Sequence, residues 1–188
     1  ALIGDSGTGD SNQLRVARQM SAQRDRFPYS FVLMVGDNLY GGESPRDYER
    51  KFSTPYKPLL DAGVKFYAAL GNHDEPNQRL YKPFNMNGER YYTFKPDRSS
   101  VRFFAIDSNY IDDKQLAWLE KELAASGSDW KIMFFHHPLY SSGRTHRSAE
   151  LQREEEDPRE AEKRKRRERL LELLTRTAAY YERCLWES

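Results

Sequence analysis

At 188 residues and a net charge of +1, the chain is long enough for one domain with a buried core, and it lacks the charge excess that draws a protein to nucleic acid or to an acidic membrane surface. The pI near 8.0 and the mean hydropathy of −0.91 reflect uneven placement, because residues 150–169 are dominated by Glu, Arg and Lys while the earlier part has ordinary composition. The lone cysteine, Cys184, excludes an intrachain disulfide, and no apolar run approaches the ~20 residues of a membrane span.

The chain opens at Ala1, inside its first strand and with no leader peptide, which reads as a fragment or a processed form. After Leu2-Ile3, Asp5 to Asp10 is a glycine-containing loop. Ser11–Arg24 reads as a helix, capped by Ser11 or Asn12, with Leu14, Ala17 and Met20 on one face. Phe31–Val35 is a strand whose continuous apolar character predicts burial on both faces. Short helices are expected over Ser44–Phe52 and Pro55–Ala62, each with Pro near its start. Strands follow at Lys65–Leu70, Arg90–Lys95 and Val101–Ile106, with a loop and one helical turn over Pro76–Asn87. Asp112–Ala125 is a helix with a Leu116, Leu119, Leu123 stripe, and Trp130–Phe135 is the next strand.

From Ser148 the character changes. Asp157-Pro158 suits a helix start, and Glu160 with Arg164 and Glu162 with Arg166 are i,i+4 pairs in the favourable order. Leu170, Leu174, Ala178, Tyr181 and Leu185 continue a helical stripe. There is no internal repeat. A boundary near 147 divides a main domain, 1–147, from a charged helical segment, 148–188. The basic run within 163–169 has acidic neighbours at helical spacing, which favours a solvated helix face over nucleic-acid binding.

Four apolar runs end in polar residues of one kind. Leu2-Ile3 leads into Gly4-Asp5-Ser6-Gly7, Phe31–Val35 into Gly36-Asp37-Asn38-Leu39-Tyr40, Phe66–Leu70 into Gly71-Asn72-His73-Asp74, and Ile132–Phe135 into His136-His137-Pro138. Sites in open α/β sheets form beyond the carboxyl ends of the strands. Carboxylate, amide and imidazole are ligands for metal ions. Each residue alone has an ordinary explanation: Asp5, Asp37 and Asn72 as turn formers, Tyr40 as packing, His136 as a satisfied half-buried imidazole. The order and the shared strand context carry the reading. Gly4-Asp5-Ser6-Gly7 also matches the nucleophile motif of trypsin-like proteases, which carry it late in the chain and not at its opening.

This set of motifs resembles the calcineurin-like metallophosphoesterases, and most of all their purple acid phosphatase branch, whose second motif ends in Tyr. The resemblance covers residues 1–147. It implies an α/β fold, a mixed β-sheet sandwich flanked by helices, here with a C-terminal helix. It implies an acid phosphatase-like enzyme that attacks phosphomonoesters with a hydroxide on a two-metal centre, iron with zinc, manganese or a second iron. Asp5, Asp37 and Tyr40 would bind the first ion, with Asp37 bridging to a second held by Asn72 and His136. A Tyr ligand enters as phenolate, which favours a trivalent ion. His73 would protonate the leaving oxygen or hold the phosphate. Asp74 would orient His73. His146, ten residues after His136, stands where similar phosphatases keep a substrate-binding His. The partner implied is a small phosphorylated substrate, and the compartment suggested is extracellular or periplasmic.

One motif of the family is missing. The four His are 73, 136, 137 and 146, so the Gly-His-x-His that supplies two more ligands does not occur. If Tyr181-Glu182-Arg183 is the landmark that follows that motif, Thr177 and Ala179 stand in place of the two imidazoles, and the Leu-rich helix replaces the last strand. Two readings stay open: a phosphoesterase weakened by the loss of two ligands, and an inactive relative acting as a binding or structural protein.

Overall fold

The computed structural model describes residues 1–138, 162 and 165–175. The expected α/β class holds. Strands β1 (Leu2–Ile3), β2 (Phe31–Val35) and β3 (Lys65–Ala69) form a parallel sheet in the order β1-β2-β3. Strands β4 (Tyr92–Phe94), β5 (Val101–Ala105) and β6 (Trp130–Phe134) form a second sheet, with β4 antiparallel to β5. Helix α1 (Ser11–Arg24) connects β1 to β2, the right length of chain for a parallel crossover. Two compact units emerge. One is Ala1–Asn109 with Ile132–His137, and the other is Tyr110–Lys131 with the described part of 138–188.

In the first unit the two sheets share one core. Val32, Met34, Phe66 and Ala68 from the parallel sheet join Tyr92, Phe103, Ala105 and Phe134 from the other. The β2 centre is buried on both faces, as its unbroken apolar run requires. Phe52 is fully buried among the rings of Tyr56, Phe66, Tyr81 and Phe84, at centroid distances of 4.9–5.9 Å. Each such ring removed from water stabilises the fold by about 1.5–3 kcal/mol.

Local details depart from the sequence expectations. The cap of α1 is Asp10, not Ser11 or Asn12: its extended backbone (φ −101°, ψ −177°) lets the carboxylate accept from the Asn12 and Gln13 N–H groups. The helix expected over Ser44–Phe52 is α2 (Pro45–Tyr48), with a Ser44–Asp47 capping box, followed by a π-turn over Glu49–Ser53. That turn is closed by the Thr54 N–H on the Glu49 carbonyl at 2.8 Å. Helix α3 runs Lys57–Asp61. The loop over Pro76–Asn87 contains two 3₁₀ turns, Pro76–Leu80 and Lys82–Phe84.

In the second unit, α4 (Asp113–Ala125) is capped by Asp112 and buries Leu116, Leu119 and Leu123 as the stripe predicts. Residues 165–175 are helical (α5). Here the buried positions are Leu170 and Leu173, while the expected Leu174 is only half-buried. Arg166 bridges to Glu162 at 3.2 Å, the predicted i,i+4 pair, and donates to the Ile111 carbonyl. Residues 147–148, Asp157-Pro158, the Glu160–Arg164 pair, 176–188 and the start of the basic run, 163–164, fall outside the described residues. No helix among the described residues is long and apolar enough to cross a membrane.

Candidate metal centre

Because β1, β2 and β3 are parallel, the loops that leave them emerge on one edge of the sheet. Asp5 follows β1, Asp37 follows β2, and Asn72 follows β3. His136 arrives from the end of β6 in the second sheet. Ligand atoms of Asp5, Asp37 and His136 all lie within 4.8 Å of one another. The Tyr40 hydroxyl donates to Asp5 Oδ1 at 3.2 Å. On the other side, His136 Nε2 stands 3.0 Å from Asn72 Oδ1 and 3.5 Å from Asp37 Oδ1. The structure thus gathers the five expected ligand positions into one cluster with Asp37 at its centre.

The backbone shows how the motifs achieve this. Asp5 and Asp37 both adopt left-handed conformations, at φ 54° and 49°. Asp tolerates that region better than most residues, and such strain concentrates at functional sites. The glycines permit close approach of the loops. A Cβ on Gly71 would collide with the Asp37 amide nitrogen and Oδ1, and one on Gly36 would lie 2.6 Å from the His136 Cβ.

Hydrogen bonds fix the donors. His136 Nδ1 lies 3.0 Å from the Val35 carbonyl. A carbonyl only accepts, so Nδ1 carries a proton, and Nε2 is the ring atom turned toward the cluster. Two oxygens, from Asn72 and Asp37, face that nitrogen. By donor chemistry and by this arrangement, the residues present fit a metal ion. Burial, with the neighbouring Asp37 and Asp5 carboxylates, pushes the Tyr40 hydroxyl above its ordinary range, so without a cation the phenol keeps its proton.

His73 is exposed, with its ring 5.1 Å from that of Tyr40, and its backbone N–H donates to Asp37 Oδ1 at 3.0 Å. Asp74 departs from expectation because it makes no hydrogen bond with His73. Its half-buried carboxylate accepts from the N–H groups of Gly71 (2.8 Å) and Leu39 (3.0 Å), and from Asn38 Nδ2 and Gln78 Nε2. A carboxylate three residues beyond a glycine turn is satisfied most easily by the amides of that turn, so Asp74 ties the β2 and β3 loops together. Burial raises its pKa, and these bonds oppose the rise. His137 turns away to Ser108, whose Oγ lies 3.0 Å from both its Nδ1 and its N–H nitrogen. His146 falls outside the described residues.

Sequence reasoning passed over three contributors. The buried Asn38 amide reaches the Ala69 carbonyl at 2.8 Å, Asn109 reaches the Leu70 and Gly71 carbonyls, and Lys51 reaches the Tyr40 loop. Asn38 lay inside a quoted motif, where its proximity to Asp37 was a usable signal. Asn109 and Lys51 lay outside the motifs and gave none.

The calcineurin-like phosphoesterase family model matches residues 1–166. Purple acid phosphatase 7 of Arabidopsis thaliana is 28% identical over 178 residues, covering 76% of this chain and 54% of its own. Purple acid phosphatase 17 of the same plant is 28% identical over 189 residues, with 81% and 55% covered. Tartrate-resistant acid phosphatase type 5 of Rattus norvegicus is 24% identical over 180 residues, with 74% and 55% covered. The chain therefore spans about half the length of these relatives. Two solved structures share the fold. A dimetal phosphatase from Danio rerio has a TM-score of 0.61 at 17% identity, covering 74% of this chain and 69% of that one. GAP50, the anchor in the inner membrane complex of Plasmodium, has a TM-score of 0.67 at 18% identity, covering 95% and 62%.

Proposed function

The chain belongs to the calcineurin-like phosphoesterase family, and from that premise we propose that it is a metal-dependent phosphoester hydrolase of the purple acid phosphatase kind, acting on small phosphomonoesters. The observation that carries this reading is the convergence of Asp5, Asp37 and His136, whose ligand atoms all lie within 4.8 Å of one another. Asp5, Asp37 and Tyr40 would hold one ion, and Asp37, Asn72 and His136 a second. A phenolate among the donors favours a trivalent ion, so iron paired with zinc, manganese or a second iron suits the set. When bound, such ions supply a nucleophile at neutral pH and offset the charge of the phosphate.

The chain's own groups do the remaining work. Asp37, buried and fixed by the His73 N–H, serves both halves of the cluster. The Val35 carbonyl keeps the His136 proton on Nδ1. Tyr40 enters the donor set by giving up its proton, so metal loading releases acid and strengthens as pH rises. Asp5, Asn72 and His73 are exposed, which leaves the cluster open to a substrate from one side. The His73 ring stands on that open side, where it protonates the leaving oxygen or holds the phosphate.

The test is metal content together with turnover. Purified protein is expected to bind iron or manganese and, once loaded, to hydrolyse an aryl phosphate. A stoichiometry near zero with no hydrolysis under added iron or manganese overturns the proposal and fits a non-catalytic relative.

A further inference from the structure

Lys51, noted above for reaching the Tyr40 loop, is 2% exposed. A buried ammonium is costly unless fully paired, and this one is. Its Nζ donates to the Tyr40 and Gly42 carbonyls, both at 2.7 Å, and lies 3.1 Å from Asp47 Oδ1. It sits on the π-turn Glu49–Ser53, and such turns recur at functional sites. The preceding residue on the same turn, Arg50, brings Nη1 to 3.5 Å from the Thr8 and Gly9 carbonyls. Two consecutive side chains therefore reach two loops: the one leaving β1 with Asp5, and the one leaving β2 with Asp37 and Tyr40. The Tyr40 N–H closes these loops on each other through the Gly7 carbonyl at 2.9 Å.

The held segment needs holding. Gly41, at φ 75°, and Gly42 follow Tyr40 directly, and a Gly-Gly pair restrains the chain less than any other dipeptide. The Tyr40 hydroxyl reaches Asp5 only if its backbone stays in place. We infer that Lys51 is a positioning residue that fixes the backbone at Tyr40 and Gly42 and so delivers the Tyr40 oxygen to the metal cluster. This rests on the metal reading above and adds a residue to it.

The experiment uses Lys51→Met, which keeps the length of the stem and removes the donors. Because that change removes the buried ammonium from the Asp47 carboxylate and leaves it only Ser44 and Arg50, the double variant Asp47→Asn/Lys51→Met serves as the folded control, checked by circular dichroism and thermal melting. In calorimetric titrations with manganese or iron, both variants are expected to lose about 10–100-fold in affinity, the range seen for groups that orient metal ligands. The Tyr40 amide is expected to exchange faster in the metal-free double variant. Adding Lys51→Met to Tyr40→Phe should cost little more than Tyr40→Phe alone, because the two act through one group. Parental affinity and parental exchange in the double variant overturn the inference, as does full additivity with Tyr40→Phe. A parent chain that binds no metal overturns the metal reading first and this inference with it, and the two failures are told apart by the parent titration.

Discussion

His136 donates its Nδ1 proton to the Val35 carbonyl at 3.0 Å, across 101 residues of sequence. That bond decides which nitrogen faces the cluster, and it anchors the end of β6 to the end of β2.

Removing the imidazole should therefore remove both a ligand and an anchor. His136→Ala and Asn72→Ala are each expected to weaken metal binding by more than about 100-fold, beyond the cost of losing an orienting group. Titration calorimetry on the folded variants checks this. Binding within threefold of the parent in either variant would remove that residue from the ligand set.

Gly71→Ala tests the close approach of two loops. The added Cβ collides with the backbone nitrogen and Oδ1 of Asp37, and backbone yields less readily than a side chain. A loss of about 1–3 kcal/mol, typical of overpacking, is expected from urea unfolding, together with weaker metal binding because Asp37 must move.

Phe52→Ala tests the core beneath the π-turn. The ring is fully buried and touches four others, so truncation is expected to cost about 3–5 kcal/mol by chemical denaturation. A cost below 1 kcal/mol would mean that the aromatic cluster is not packed as described.

Tyr92 carries an alkaline signature. Its hydroxyl is buried and donates to the Ala68 carbonyl at 2.9 Å, and burial pushes its pKa above the ordinary tyrosine value. The folded state holds the proton more tightly than the unfolded state. The contribution to stability is therefore complete below the unfolded value of about 10 and is lost as pH climbs above it. Stability measured from pH 8 to 11 should fall less steeply for Tyr92→Phe than for the parent chain. Equal slopes would remove Tyr92 as a contributor.

Much of this protein is legible in its residues. The strands β2, β3 and β5 and the helices α1 and α4 follow from apolar periodicity, since a continuous run predicts a doubly buried strand and a spaced stripe predicts a helix facing a core. Asp5, Asp37, Asn72 and His136 were nameable because four ordered motifs, each after a strand, resemble those of a known family; each residue alone reads as a turn former or a half-buried imidazole. The cap at Asp10 was misplaced by one or two residues because several capping side chains adjoin there, and only backbone angles separate them.

What the chain order could not supply was the partner of each polar group. Asp74 is next to His73, yet its carboxylate binds Gly71, Leu39, Asn38 and Gln78 instead. Lys51 lies within the helix expected over Ser44–Phe52, and it is buried on a π-turn with its Nζ on the Tyr40 and Gly42 carbonyls. Local sequence determines secondary structure and the residue types at strand ends, because propensity and burial act over a few neighbours. Which donor meets which acceptor depends on the packing of segments distant in the chain, and only the tertiary structure decides that.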